Sequence, residues 1–257
     1  MTLPLVFINL ERDEERRERL LGQLHESGIE GSRLPAVWWA DLAEDKQAAG
    51  YCSDLNARQY YKSLLNGEKG CYASHLTAWK MLLESHAPAL VVLEDDVCLA
   101  PGFAEALQAI EALDVPWDMV KLIGRSHEKV RSSRLLTAGL KLVQYRRVPS
   151  TTAGYVVSRS GAQKLLASRQ PFGRPVDVDL RFWWENDLCI LGVTPSVLSL
   201  DSTSDVSTIW QQIDRLSPMA RWRKLRMKWQ LNLGNLLHGR RHPPLGQARR
   251  KPSSNRR

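Results

Sequence analysis

The run Ala89-Leu-Val-Val-Leu-Glu94, followed at once by Asp95-Asp96, constrains this chain more than any other feature. A short uninterrupted apolar run leaves no face for water, so as a strand it must be covered on both sides. Three acids directly after it are costly to bury unless solvent or a cation meets them. Ligands of open α/β sheets bind at the carboxyl ends of the strands, which is where these acids fall. Carboxylate oxygens suit hard divalent ions such as Mg²⁺ and Mn²⁺, which in turn bind diphosphates. The same acids also read as a solvated turn whose carboxylates cap the helix that follows.

The rest of the chain alternates in the same way. Leu5–Leu10 is a short buried-type run. Asp13 stands where it can cap a helix over Glu14–Ser27, and Gly28 ends that helix. A second strand is expected near Arg33–Trp38, and Ala40–Ser53 shows no clear period. A helix is expected over Lys69–Ser85, closed by Pro88. Pro101-Gly102 opens another over Phe103–Leu113. Asp118–Ile123, Lys141–Arg147, Ala153–Val157 and Leu188–Val193 read as strands, and Gly161–Ser168 as a helix. Strands alternating with helices predict an α/β fold with a mostly parallel central sheet.

Composition excludes several classes. Of 257 residues, 43% are hydrophobic and 25% charged, the mix of a globular protein. No apolar run approaches the roughly 18 residues of a membrane-crossing helix. Leu5–Leu10 has no basic segment before it, so it is not expected to be a signal peptide. Cys52, Cys71, Cys98 and Cys189 lie far apart without a CxxC spacing. That argues against a zinc ribbon or disulfide framework, and reduced thiols in a cytosol are expected.

Other residues have two readings each. His75 is either a satisfied structural histidine or a ligand. Asp177 and Asp179 flank Val178; in an extended segment both point to one side, as a base and its neighbour, or else they cap a helix. Asn9 and Arg12, at the end of the first strand, either meet a nucleotide or, for Arg12, pair with a nearby glutamate.

Four blocks resemble the family 25 glycosyltransferases, the bacterial lipooligosaccharide galactosyltransferases and their collagen-modifying relatives. They are Ile8-Asn9-Leu10-x-Arg12 with Arg16-Arg17; Gly67-Glu68-Lys-Gly70-Cys71-x-x-Ser74-His75 with Trp79; Val92-Leu93-Glu94-Asp95-Asp96; and Thr151-Thr152-x-x-Tyr155-Val-Val-Ser158 with Gly161-Ala162-x-Lys164-Leu165-Leu166. Pro175-Val176-Asp177 resembles a fifth. Such chains often carry Asp-Gly after the second strand; here Ala36-Val37 leads into Trp38-Trp39, with Asp41 further on.

The resemblance implies a single GT-A-type domain over residues 1–214 and a nucleotide-sugar donor, usually UDP-linked. It implies a divalent ion, usually Mn²⁺ with Mg²⁺ as the alternative, at Glu94, Asp95 and Asp96. Asn9, Leu10, Arg12, Arg16, Glu68, Gly70 and His75 are then expected on the donor side. Asp177 is expected as the base that takes the acceptor hydroxyl proton, with Asp179 second. The implied reaction is inverting transfer, of galactose from UDP-galactose, onto a glycan such as a lipopolysaccharide core. Competing readings are a UDP-glucose-using enzyme, a non-catalytic sugar-nucleotide-binding or tethering relative, and a metal-dependent phosphoryl-transfer enzyme using Asp201 and Asp205. The last lacks a phosphate-cradling Gly-rich loop.

Charge divides the chain. Residues 215–257 hold 13 Lys and Arg and no acid, so the preceding 23 basic residues face all 28 acids. Within 219–237, Trp222, Leu225, Trp229, Leu233 and Leu236 recur at helical spacing among Arg221, Arg223, Lys224, Arg226 and Lys228. A basic amphipathic helix over 215–239 is expected to lie on an anionic membrane surface. That places the protein in the cytoplasm, peripheral on the inner membrane face. Packing of this helix on the domain is the second reading; nucleic-acid binding is a distant third, because the body is acidic. Residues 240–257 are expected to be a disordered basic tail.

Overall fold

The computed structural model describes residues 3–124, 128–201 and 217–245. An eight-stranded sheet lies at its centre, in the order β2-β1-β3-β8-β5-β9-β7-β6. The strands are β1 (Leu5–Asn9), β2 (Ser32–Pro35), β3 (Ala89–Glu94), β5 (Met119–Lys121), β6 (Val130–Thr137), β7 (Leu140–Tyr145), β8 (Gly154–Ser158) and β9 (Ile190–Thr194). β1 pairs in parallel with β2 and β3, and β5 with β9; β8 runs antiparallel between β3 and β5, and β7 antiparallel between β9 and β6. Six of the eight strands therefore share one direction, and β8 and β7 oppose them.

Alternation along β1 and β3 separates two apolar layers. Leu5, Phe7, Val91 and Leu93 face α1 (Glu14–Glu26) and α5 (Phe103–Glu111). Val6, Ile8, Leu90 and Val92 join Leu76, Trp79 and Leu82 of α4 (Asn66–Glu84) and Ala162 and Leu165 of α6 (Arg159–Ser168) on the other side. Burial on both faces is what the unbroken apolar run in β3 requires. A small antiparallel pair, β4 (Val97–Leu99) with β10 (Leu198–Leu200), extends beyond the acids.

Several expectations change. The segment without a clear period contains two short helices, α2 (Glu44–Gly50) and α3 (Ser53–Gln59). Asp13 stands at the start of α1 but makes no side-chain capping bond. The helix expected from Lys69 begins three residues earlier, because the Glu68 carboxylate accepts the Leu65 N–H at 2.8 Å and closes its first turn. Asp177 and Asp179 are not extended. They lie in the single turn α7 (Val176–Asp179) after Pro175, continued by a 3-10 segment, Leu180–Glu185.

The basic segment forms α8 (Pro218–His238), capped by Ser217, whose hydroxyl accepts the Ala220 N–H. Met227, Leu231 and Gly234 are buried against the domain. A Cβ on Gly234 would come within 2.0 Å of the Trp184 ring, so the small residue sets this close approach. Trp222, Leu225, Trp229 and Leu236 remain exposed, at 60%, 65%, 64% and 78%. Packing thus centres on a different face from the predicted stripe, of which Leu233 alone is half-buried and the other four residues are left to solvent. No helix among the described residues is long and apolar enough to cross a membrane. Most of the tail expectation, residues 246–257, and Asp205 lie outside the described residues.

Candidate functional site

The carboxyl ends of β1 and β3 lie side by side, with Ile8 opposite Glu94 in the register. This brings Asn9 against the acids. The Asn9 amide donates to Asp95 Oδ2 at 2.7 Å and to the Asp13 carbonyl at 2.9 Å, while its oxygen accepts from Arg33. Arg16 meets Asp95 at 3.4 Å, and Arg19 donates to the Asp95 carbonyl and pairs with Asp201. Asp95 is therefore held from several sides. Burial still raises its pKa, against the Asn9 bond and the Arg16 charge.

Glu94 and Asp96 behave differently. Burial would raise Glu94, but His75 close by, the Thr152 hydroxyl and the nearby Lys121 ammonium outweigh it and hold the carboxyl below its usual range. Thr152 donates to Glu94 Oε1 at 2.7 Å, and His75 Nε2 faces the same oxygen at 3.4 Å. Asp96 is pushed up to about 7, by burial first and then by the charges of Glu94 and Asp95. Its Oδ1 is buried and has no hydrogen-bond partner. An orphaned carboxylate oxygen beside an ionised Glu94 is a position that a hard cation fits.

A hydrogen-bonded chain stands behind Glu94. Trp79 Nε1–H donates to the Tyr155 hydroxyl at 2.9 Å, and the indole can only donate. The Tyr155 hydroxyl in turn shares a hydrogen bond with His75 Nδ1, 2.8 Å away. The other ring nitrogen, Nε2, faces Glu94. Cys71, His75 and Glu94 place one ligand atom each within 4.8 Å of one another. Burial keeps the Cys71 thiol far above its ordinary pKa. The trio thus fits a hydrogen-bonded support better than a metal centre.

Asp177 and Asp179 separate across their helical turn. Asp179 is buried and fully engaged: it accepts from Tyr72 at 2.6 Å and from Arg174 at 2.7 Å, and pairs with Arg169 at 3.2 Å. Both guanidinium groups also reach Glu185. This network anchors the 169–185 segment. Asp177 lies outside it. Its pKa is pushed up to about 6, by burial first and by the Glu94 and Glu68 charges, against a backbone bond and Lys121.

The remaining predicted residues scatter by role. Glu68 closes the first turn of α4 and pairs with Lys62. A Cβ on Gly70 would come within 2.4 Å of the Val37 carbonyl, and Ser74 accepts the Val37 N–H at 2.8 Å while donating to the Gly70 carbonyl. Both residues dock α4 on the strip after β2. Arg12 stacks over the exposed Trp38 ring, 4.5 Å from its centre. Leu10 is half-buried at the end of β1. Lys121, not singled out from the sequence, is buried at the end of β5, lowered to about 8 by desolvation. Its ammonium donates to the Pro149 and Thr151 carbonyls and so holds the loop that presents Thr152. A lone lysine in an apolar strand was the available signal.

The model of "Glycosyltransferase family 25 (LPS biosynthesis protein)" matches residues 3–180. Human procollagen galactosyltransferase 2 (Homo sapiens) is 30% identical over 186 residues, 68% of this chain and 29% of that protein. A glycosyltransferase 25 family member of Drosophila melanogaster is 29% identical over 188 residues, 70% of this chain and 30% of that protein. Probable inactive glycosyltransferase 25 family member 3 of Bos taurus is 32% identical over 183 residues, 67% of this chain and 30% of that protein. The match spans about 30% of the length of these relatives. With more than half of its length matched, the chain belongs to glycosyltransferase family 25.

Proposed function

We propose that this protein is a hexosyltransferase with a GT-A-type fold, moving galactose from UDP-galactose with inversion onto a glycan or glycolipid of the lipopolysaccharide-core type. The buried, unpartnered Oδ1 of Asp96 beside the ionised Glu94, at the carboxyl edge of β3, carries the reading. Glu94, Asp95 and Asp96 are the residues that hold Mn²⁺, or Mg²⁺. When bound, the ion neutralises charge that grows on the departing diphosphate.

The chain's own residues supply the rest. His75 and Thr152 fix the Glu94 carboxylate. Asp177 takes the acceptor hydroxyl proton; its raised pKa suits a base that is mostly ionised at neutral pH. Asp179, consumed by Arg169 and Arg174, positions the segment. Arg16, near the diphosphate edge, adds positive charge. The Arg12–Trp38 stack beside Asn9 is the flat surface on the donor side. The exposed Trp222, Leu225 and Trp229 of α8, among basic residues, hold the enzyme to an anionic membrane on its cytoplasmic face.

The test mixes purified protein with a panel of nucleotide sugars, with Mn²⁺ or EDTA, and follows nucleoside diphosphate release and donor binding. Release from UDP-galactose alone, lost with EDTA, is expected. Release from UDP-glucose alone reassigns the sugar. Neither release nor binding of any donor favours a non-catalytic protein, a reading kept open by the bovine relative described as probably inactive.

A further inference from the structure

A cavity of about 690 Å³ lies between the start of β9, the end of β7 and the last turns of α8. β9 runs in the same direction as β3, so this cavity sits at the amino edge of the sheet, away from Glu94 and Asp96. Four arginines line it: Arg131, Arg146, Arg147 and Arg240. Among the described residues no aspartate or glutamate does.

Elsewhere in the fold several arginines are neutralised. Arg16, Arg19, Arg134, Arg169 and Arg174 each meet a carboxylate. Among the described residues, no carboxylate pairs with Arg146, Arg147 or Arg240, and the one bond from the Arg131 side chain goes to the His242 carbonyl. Gln144 donates to the same carbonyl, and Ser132 accepts the Leu245 N–H. These bonds seat the chain after α8 as a wall, so the cavity is built into the fold. Like charges crowded around one concavity repel and focus a positive potential into it. Guanidinium forks match phosphate oxygens in pairs, which relieves that repulsion. The volume is that of a ligand pocket and exceeds what a bare phosphate needs. Trp183 and Leu236 add apolar wall for the remainder of a ligand.

We propose that this cavity binds a phosphoryl group, a phosphate mono- or diester carried on a larger polar body. The chemistry is shared by a soluble phosphorylated compound and by an anionic lipid headgroup. The proposal does not depend on the transfer reaction. The probes are glycerol 3-phosphate by titration calorimetry, and vesicles of phosphatidylcholine with phosphatidylglycerol by co-sedimentation. Vesicles made equally negative with oleate carboxylates control for charge alone. The proteins are wild type, Arg146→Gln/Arg147→Gln, and Arg134→Gln, which removes a surface guanidinium outside the cavity.

The expected result is at least a tenfold loss of phosphoryl binding in the double variant and little change in Arg134→Gln. Loss of glycerol 3-phosphate binding with unchanged vesicle binding assigns a soluble ligand. Loss on phosphatidylglycerol vesicles but not on oleate vesicles assigns a lipid headgroup. Equal losses on both vesicle types, without glycerol 3-phosphate binding, would overturn the proposal in favour of plain charge attraction. Binding of every probe unaffected by the double variant, or no binding of any probe, would overturn it as well.

Discussion

The phenolic oxygen of Tyr155 lies 2.8 Å from Nδ1 of His75. The strand β8 thereby braces a histidine on α4 whose other ring nitrogen faces Glu94. Tyr155→Phe removes the only hydroxyl in the chain from Trp79 to Glu94 and leaves the Trp79 N–H buried without a partner. A stability loss of about 1–3 kcal/mol is expected in urea titration. Turnover is expected to fall more than in Thr152→Val, and its pH profile to shift, because the imidazole is free to turn. An unchanged profile would reduce Tyr155 to packing.

Asp96→Asn separates function from folding. The protein is expected to stay folded and to lose metal-dependent turnover by at least about a hundredfold, a size typical when transition-state charge loses its counter-charge. Wild type is expected to gain thermal stability on adding Mn²⁺, and the variant is not. Without metal at pH 8 the variant is expected to be more stable by about 1 kcal/mol or more, since a raised pKa marks a charge the fold disfavours. An active Asp96→Asn enzyme would remove this residue from the ion site.

Asp177 gives the pH dependence a sign. Its folded pKa, about 6, lies above its ordinary value near 4. The charged form is disfavoured in the fold, so its cost is absent below about pH 4 and fully present above about pH 6. Stability from this group therefore rises as the solution is acidified through that window. Activity moves the other way: kcat/KM is expected to climb as pH passes about 6, because a base must be unprotonated. Asp177→Asn is expected to abolish the climb and to stabilise the protein at pH 7.5. A climb that persists in the variant assigns the proton to another group.

Arg174 is 2% exposed and shared by Asp179 and Glu185. Arg174→Met takes from Asp179 and from Glu185 one of the two guanidinium groups each holds, and a loss of about 3 kcal/mol at neutral pH is expected from thermal or urea unfolding. The sign with pH follows from Glu185. Burial acts to raise its pKa, but the bonds from Arg174 and Arg169 hold it below the ordinary range. Its contribution is present at neutral pH and fades as acid protonates it, so the variant's deficit is expected to shrink below about pH 4. A deficit that does not change with pH would point to lost packing on Phe182, over which the guanidinium lies at 4.0 Å.

Trp222 and Trp229 are 60% and 64% exposed, so replacing both with alanine is expected to leave the unfolding midpoint nearly unchanged. Binding to phosphatidylglycerol-containing vesicles is expected to fall at least tenfold in co-sedimentation. If binding is retained in full, α8 does not seat the protein on a membrane.

Where the letters carry their own physics, the sequence is a good guide. The boundary between Leu93 and Glu94 marks both a strand covered on two faces and the end of its cover. The α8 helix was legible from its spacing. Its packed face was not, because the contact depends on the absence of a side chain at Gly234 meeting Trp184. His75 was visible as an isolated histidine, but its role depends on Tyr155, 80 residues away, which only β3–β8 pairing brings near. Lys121 finds backbone carbonyls, and these have no letter. From the residues alone, Asp177 and Asp179 read as an extended pair on one side or as capping acids, and only the resemblance ranks Asp177 first. One turn of helix gives one to a guanidinium network and leaves the other outside it.

The close seat of Gly70 on the Val37 carbonyl ties α4 to the strip that carries Trp38. Two functions of unlike chemistry, an aromatic platform and an imidazole that steadies an acid, are thereby mounted on one stiff bracket. Their mutational freedoms differ accordingly. On the proposed reading, the Trp38 ring, which is exposed, can be exchanged to suit a different donor. Enlarging Gly70 has no local remedy: it tilts the helix, and the histidine one and a half turns along swings away from Glu94. Specificity can drift at one end of the bracket only while the small residue in its hinge stays fixed.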